Sequence, residues 1–191
     1  RQETGHTPSR SVPAYWDGGK IPWIGIKDAS IHHGGVINDT LQHITEAGLA
    51  NSSARLLPAG TVLISRTASV GYVSIMGKSM ATSQDFATWT CNEALDPKYL
   101  MYALMAEGED IKKFGKGSTH TTIYFPEVRA LHIKLAPREE QTEIVSRIEA
   151  AFIAVQRLQN ESENAARLAT TLDAAILAKA FKGALVPQDP S

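Results

Sequence analysis

The sequence has a single cysteine, Cys91, in 191 residues. That excludes an internal disulfide and a cysteine-built zinc site, and it fits a reducing compartment. No apolar run approaches the ~20 residues of a membrane span, and no signal-peptide pattern opens the sequence, so a soluble, cytoplasmic protein is expected. Charge of one sign is also lacking. The formal net charge is −1, which gives no global attraction to polyanions. Nucleotide loops are missing as well: Gly115-Lys116 is followed by Gly117 where a P-loop needs Ser or Thr, and no G-x-G-x-x-G occurs. His32 and His33 are adjacent, so on a strand they would point apart rather than share a metal. With no paired nucleophile and base, the chain reads as non-catalytic, with no cofactor and no metal.

What the sequence does have is a long uninterrupted helical pattern in its last quarter. It starts at Pro137-Arg138-Glu139-Glu140-Gln141, with proline at the first position and acids in the first turn, and meets no Gly or Pro until Gly183. About 45 residues at ~1.5 Å each make a rod of roughly 65–70 Å, too long for a body of this size to cover. Apolar and small residues fall on a heptad frame: Gln141, Ile148, Val155, Ser162, Ala169 and Ile176 on one line, and Ile144, Ala151, Leu158, Ala165, Leu172 and Lys179 on the other. This is the seam of a helix that pairs with another helix. Residues 137–183 are therefore expected to be a coiled-coil spacer, 184–191 a tail and 1–136 a globular domain. The domain holds 13 Lys and Arg against 12 Asp and Glu, with all six His; the remainder holds 6 against 8.

Within the first 136 residues the patterns are short. The Pro-, Ser- and Gly-rich opening to Gly19 predicts a loop anchored by Tyr15-Trp16. Ile21–Ile26 predicts a strand in which Pro22 demands an edge or a strand start. Polar residues 28–38 predict a turn around Gly34-Gly35. Thr45 is placed to cap a helical turn that Gly48 ends. Thr61–Ser65 and Gly71–Met76 predict paired strands around the Arg66–Val70 loop, and Phe86–Thr90 predicts another strand. Asp96-Pro97 opens a helix with Tyr99, Leu100, Ala103 and Leu104 buried. A basic Gly-rich loop over Lys112–Thr122 and a strand over Ala130–Leu135 complete the set. Short strands without βαβ alternation indicate an α+β class, a small mixed sheet followed by one long helix.

Several segments together resemble the specificity subunit of type I restriction–modification systems. They are Ile21-Pro22-Trp23-Ile24, Ile37-Asn38-Asp39-Thr40, Ile44–Leu49, Leu57–Leu63, Ser83-Gln84-Asp85-Phe86, the junction Pro137–Val145 and the tail Ala180–Val186. The resemblance implies a target recognition domain that reads one half of a split double-stranded DNA target, followed by a conserved helix that sets the gap between halves. Methyltransferase subunits would dock on this scaffold and restriction subunits would join them. One domain and one helix correspond to a half-subunit or a fragment, so a homodimer through antiparallel helices is expected. Its seam would use Ile144, Ile148, Val155, Leu158, Ala165, Leu172 and Ile176.

On that reading the candidate DNA contacts are polar and basic residues on loops. Lys112, Lys113, Lys116, Ser118, Thr119 and His120 share the Gly-rich loop, where backbone can approach phosphate. Arg66, Thr67 and Ser69 share the strand-connecting loop, and a free arginine there could read guanine bidentately. Lys27, His32, His33 and Lys78 complete the candidates. The rival from the residues themselves is a coiled-coil scaffold whose globular domain binds protein. A stand-alone nuclease is the third possibility, and no constellation of residues supports it.

Overall fold

The computed structural model describes residues 1–67, 69–113 and 122–185, with backbone alone for 109–112. It falls into two compact units, Arg1–Val145 and Ser146–Ser191.

Unit 1 is built on two sheets. The larger has the order β1-β8-β5-β6-β3, with β1 Gln2–Thr4, β3 Val36–Ile37, β5 Val62–Ser65, β6 Val73–Met76 and β8 Phe86–Trp89. The smaller has the order β4-β2-β7, with β2 Ile21–Ile24, β4 Gln42–Ile44 and β7 Ala81–Thr82. Strand β5 is the centre of the large sheet and is buried at every residue, because both of its faces are covered. Val62 and Ile64 face one core with Val73, Ile75, Leu100, Met101 and Leu104. Leu63 faces a second core with Ile24, Ile37, Met76 and Phe86. One strand thus holds two cores together, which explains why its sequence is continuously apolar rather than alternating.

Helix α3, Pro97–Lys113, covers the first face. It starts as the sequence predicts: the Asp96 carboxylate accepts from the N–H groups of Lys98 and Tyr99 at 2.8 and 3.3 Å. Its buried line is Leu100, Met101 and Leu104, while Tyr99 and Ala103 are half-buried at its margin. The helix bends at Gly108, whose φ of 38° and ψ of −116° are open to glycine. It carries Lys112 and Lys113 on its last turn, so these two lysines are helical rather than part of a loop.

Other expectations need correction. The opening is not all loop: Gln2–Thr4 pairs antiparallel with β8. Residues 26–31 form α1, Ile26–Ile31, where the end of a strand and polar chain were expected; Asp28, 4% exposed, accepts the backbone N–H groups of Gly25 and Leu41 at 2.9 and 2.8 Å. Strand β2 is central in its sheet, and Pro22 is tolerated because β7 joins only from Trp23 onward. Thr45 does cap α2, Glu46–Ala50, through the N–H of Gly48, but Gly48 does not end it. Glycine is needed there because a Cβ would lie 2.6 Å from the Tyr15 carbonyl. Ala130–Leu135 is not a strand; it follows α4, Phe125–Arg129, as irregular chain. Its alternation is real, since Leu131 and Ile133 pack on the first core, but it forms no ladder with any described strand.

Helix α5, Arg138–Phe181, spans 44 residues. Its first two turns belong to unit 1, and there Gln141 is fully buried rather than on a seam. The Gln141 amide donates to the carbonyls of Ala94 and Ala136 at 2.9 and 2.8 Å. Arg138 pairs with the Asp96 carboxylate at 2.8 Å. Cys91 is half-buried just after β8, and burial raises its thiol pKa, as suits a packing residue. In unit 2 the apolar positions Val155, Leu158, Leu168, Leu172 and Ile176 are exposed. No helix among the described residues is long and apolar enough to cross a membrane.

Candidate nucleic-acid interface

Strand direction brings four segments to one end of the large sheet. Strands β5 and β8 run antiparallel, and so do β5 and β6, while β3 runs parallel to β6. The loop after β5 (Arg66 onward), the turn before β8 (Ser83–Asp85) and the turn before β3 (His32–Gly35) therefore share an end. The chain after β1, with Thr7, arrives there too, since Thr4 pairs with Ala87 at the start of β8. Ile123 donates its N–H to the Arg66 carbonyl at 2.8 Å, which adds the chain leading into α4.

The Arg66 loop is heavily cross-bonded, although Arg66 Nε is buried without a hydrogen-bond partner. Arg66 Nη2 donates to the Gln84 carbonyl at 2.8 Å, and its guanidinium lies 4.7 Å from the centre of the Phe125 ring. Burial lowers its pKa and the nearby Asp85 carboxylate opposes that shift. Thr67 Oγ1 donates to Asp85, and Ser83 Oγ donates to the other oxygen of the same carboxylate at 2.9 Å. Ser69 contributes its carbonyl to the hydroxyl of Ser65. Arg66 is thus braced by one donor of its fork and by the Phe125 ring, rather than wholly free as the sequence suggested. Thr67 is committed in the same way. The Asp85 carboxylate lies close enough to the Arg66 guanidinium for their charges to interact.

The His32–Gly35 turn is fastened to β6 by four hydrogen bonds. The N–H of Val73 donates to His33 Nδ1 at 3.0 Å, and Gly34 donates to the Val73 carbonyl at 2.8 Å. Ser74 Oγ donates to the His32 carbonyl at 2.8 Å, and Ile75 donates to the Gly35 carbonyl at 3.0 Å. Gly34 takes φ 74°, and a Cβ there would come within 3.0 Å of Met105 on α3. His33 itself is exposed and stands edge-on to Tyr72, with centroids 5.9 Å apart.

The remaining candidates scatter. Lys27 is exposed on α1. Lys78 follows β6 at the opposite end of the sheet, where it bonds Asp39 at 3.2 Å; His43 bonds the same carboxylate at 2.9 Å, and these bonds hold its pKa below the ordinary value. Lys113 is exposed at the end of α3. Lys116, Ser118, Thr119 and His120 lie outside the described residues, as does the side chain of Lys112. Among the described residues no group of His, Cys, Asp and Glu could hold a metal ion. Thr7, Tyr72 and Phe125 also shape this end and were not singled out from the sequence, and Gln84 and Asp85 were marked there only as part of the family resemblance, because their roles arise from strand pairing between distant segments.

Comparison with known proteins shows what the chain is similar to. The family model described as type I restriction modification DNA specificity domain matches residues 2–166. The specificity subunit of the type I restriction enzyme MjaIX from Methanocaldococcus jannaschii is 31% identical over 144 residues, covering 74% of this chain and 33% of the relative. The EcoR124I/EcoR124II specificity subunit of Escherichia coli is 29% identical over 147 residues, covering 74% of this chain and 36% of the relative. The crystal structure of the HsdS subunit from Thermoanaerobacter tengcongensis aligns with a TM-score of 0.64 at 26% identity, over 97% of this chain and 43% of that one. The chain spans about a third of the length of the curated relatives it matches. A match that runs from β1 through both sheets and well into α5 leaves one conclusion: the chain belongs to the type I restriction modification DNA specificity domain family.

Proposed function

We propose that residues 1–136 form a target recognition domain that reads one half of a split double-stranded DNA target. Residues 137–183 act as the spacer, with 184–191 as its tail. The helix pairs antiparallel with a second helix of the same kind, so that its length fixes the gap between half-sites. Methyltransferase subunits dock on this scaffold, restriction subunits join them, and they carry the catalysis; the chain supplies none and needs no cofactor. The observation that carries this reading is the family match over residues 2–166, which includes both the sheets and most of the helix. The exposed apolar line Val155, Leu158, Leu172 and Ile176 supports a helical partner, a second copy of this chain being the simplest. The convergence of polar loops at one end of the large sheet supports that end as the DNA-facing surface, with His32 and His33 on the turn before β3.

Sequencing of DNA methylation in cells carrying this chain with the methyltransferase of its system tests the reading. A bipartite methylated motif is expected, present only when both proteins are made. Methylation that is unchanged when the chain is withheld would refute it, and would favour the protein-binding scaffold.

A further inference from the structure

At the DNA-facing end, several polar side chains are engaged internally: one Arg66 donor by the Gln84 carbonyl, and Thr67 and Ser83 by Asp85. His33 is different. One ring nitrogen is fixed and the other is left for a ligand. Because Nδ1 accepts the N–H of Val73, the ring proton sits on Nε2, and the imidazole presents one donor outward. Its direction is set twice, by the Val73 bond and by edge contact with Tyr72, whose ring packs on the second core. The turn beneath it is held to β6 by the bonds of Gly34, Ser74 and Ile75. A single rigid donor adds little to phosphate attraction, which rewards full positive charges. It is suited to reading position and direction, as base edges require.

Building on the DNA-reading function proposed above, we propose that His33 is a specificity-determining residue. Its Nε2–H donates to a hydrogen-bond acceptor on the major-groove edge of one base in the half-site: N7 or O6 of guanine, N7 of adenine or O4 of thymine. The Val73 N–H, Tyr72 and the Gly34 turn position it.

The test uses the full chain in complex with its methyltransferase. The probes are duplexes carrying the methylation-mapped target and every single base-pair substitution of one half-site. His33→Asn keeps an oxygen where Nδ1 accepts from Val73 but withdraws the outward donor from the Nε2 position, since its amide nitrogen lies nearer the backbone. His33→Gln restores a donor near the Nε2 position. The expected result is that His33→Asn loses roughly three- to tenfold discrimination at one base pair and none elsewhere, with His33→Gln recovering part of it. Unchanged discrimination in His33→Asn overturns the proposal. So does an equal loss at every pair in a variant whose unfolding midpoint matches wild type, since that marks a phosphate contact. If His33→Asn fails to fold, His33→Gln decides: an altered preference confined to one pair supports the proposal, and a uniform loss or none overturns it. A wild-type complex that methylates a mapped split site while His33→Asn keeps its full profile refutes this inference alone. A wild-type complex with no sequence preference refutes both.

Discussion

The backbone N–H of Asp96 donates to the side-chain oxygen of Gln141 at 2.8 Å, joining the cap of α3 to the first turn of α5. The same glutamine amide holds the carbonyls of Ala94 and Ala136, and Arg138 one turn earlier holds the Asp96 carboxylate. One side chain therefore satisfies three backbone groups from two separate segments. Gln141→Leu keeps the size but leaves all three without a partner, and should lower the unfolding free energy of the chain by about 2–3 kcal/mol, read by urea denaturation. Gln141→Glu keeps the acceptor and sets a carboxylate against two carbonyls. Burial and those carbonyls raise its folded-state pKa, so the penalty should be largest near neutral pH. It should shrink as the pH falls into the carboxylate range, where the protonated acid can donate again. A penalty independent of pH would argue against the two carbonyl contacts.

Arg66 gives a second test, because its geometry separates bracing from base reading. Arg66→Ala removes the bond to the Gln84 carbonyl and the stacking on Phe125. It should cost about 1–2 kcal/mol of stability in addition to any loss of DNA binding. Arg66→Lys can still reach the Gln84 carbonyl and should recover about half of that cost, since one donor survives without the planar contact. Full stability with altered base preference would restore Arg66 as a direct reader.

The long helix was legible because its signals are local: Pro137, the acids that follow it, and an apolar period sustained over many turns. The pairs β5 with β6 and the cap at Asp96 were legible for the same reason. Strand β1 was not, since three residues of Gln-Glu-Thr carry no apolar pattern and become a strand only by pairing with β8, more than eighty residues away. Residues 131–135 misled in the opposite direction: their alternation records packing against the α3 core, and alternation alone does not supply a pairing partner. Gln141 fell on the heptad frame by spacing, yet the base of a helix that leaves a globular body obeys that body's contacts first. At the candidate interface, residue types identified Arg66 and Thr67 as available polar groups. Only the fold shows that Gln84, Asp85 and Phe125 occupy them.

The apolar line on α5 leads to an assembly prediction. Leu158 and Leu172 are 64% and 60% exposed. If a second helix covers them, replacing both with Asp should place unpaired charge in the interface and dissociate the pair. Sedimentation velocity at micromolar concentration should show a dimer for the parent and a monomer for the double variant. Circular dichroism of unit 1 should be unaffected, because neither residue lies within Arg1–Val145. A parent that sediments as a monomer would count against self-pairing and direct attention to a helix from another chain.

Spacer length gives the last prediction. If α5 sets the distance between half-sites, lengthening it should change the gap and leave the bases alone. A seven-residue insertion near Glu161 keeps the heptad frame and adds about 10.5 Å of helix. In an antiparallel pair with both helices extended, this corresponds to about three base pairs at ~3.4 Å each along one strand. The added distance is not purely axial, because three base pairs also rotate one half-site by roughly 100° around a duplex of 10–10.5 bp per turn. Two outcomes are therefore consistent with a spacer: a gap longer by one to three base pairs, or loss of methylation because the rotated half-site is no longer reached. A four-residue insertion offers a control, since it adds about 6 Å but shifts the apolar line off the seam, and it should abolish pairing rather than reset the gap. Methylation sequencing of the parent and both insertions decides the matter. The spacer function fails if the seven-residue variant methylates a motif with different bases and the original gap.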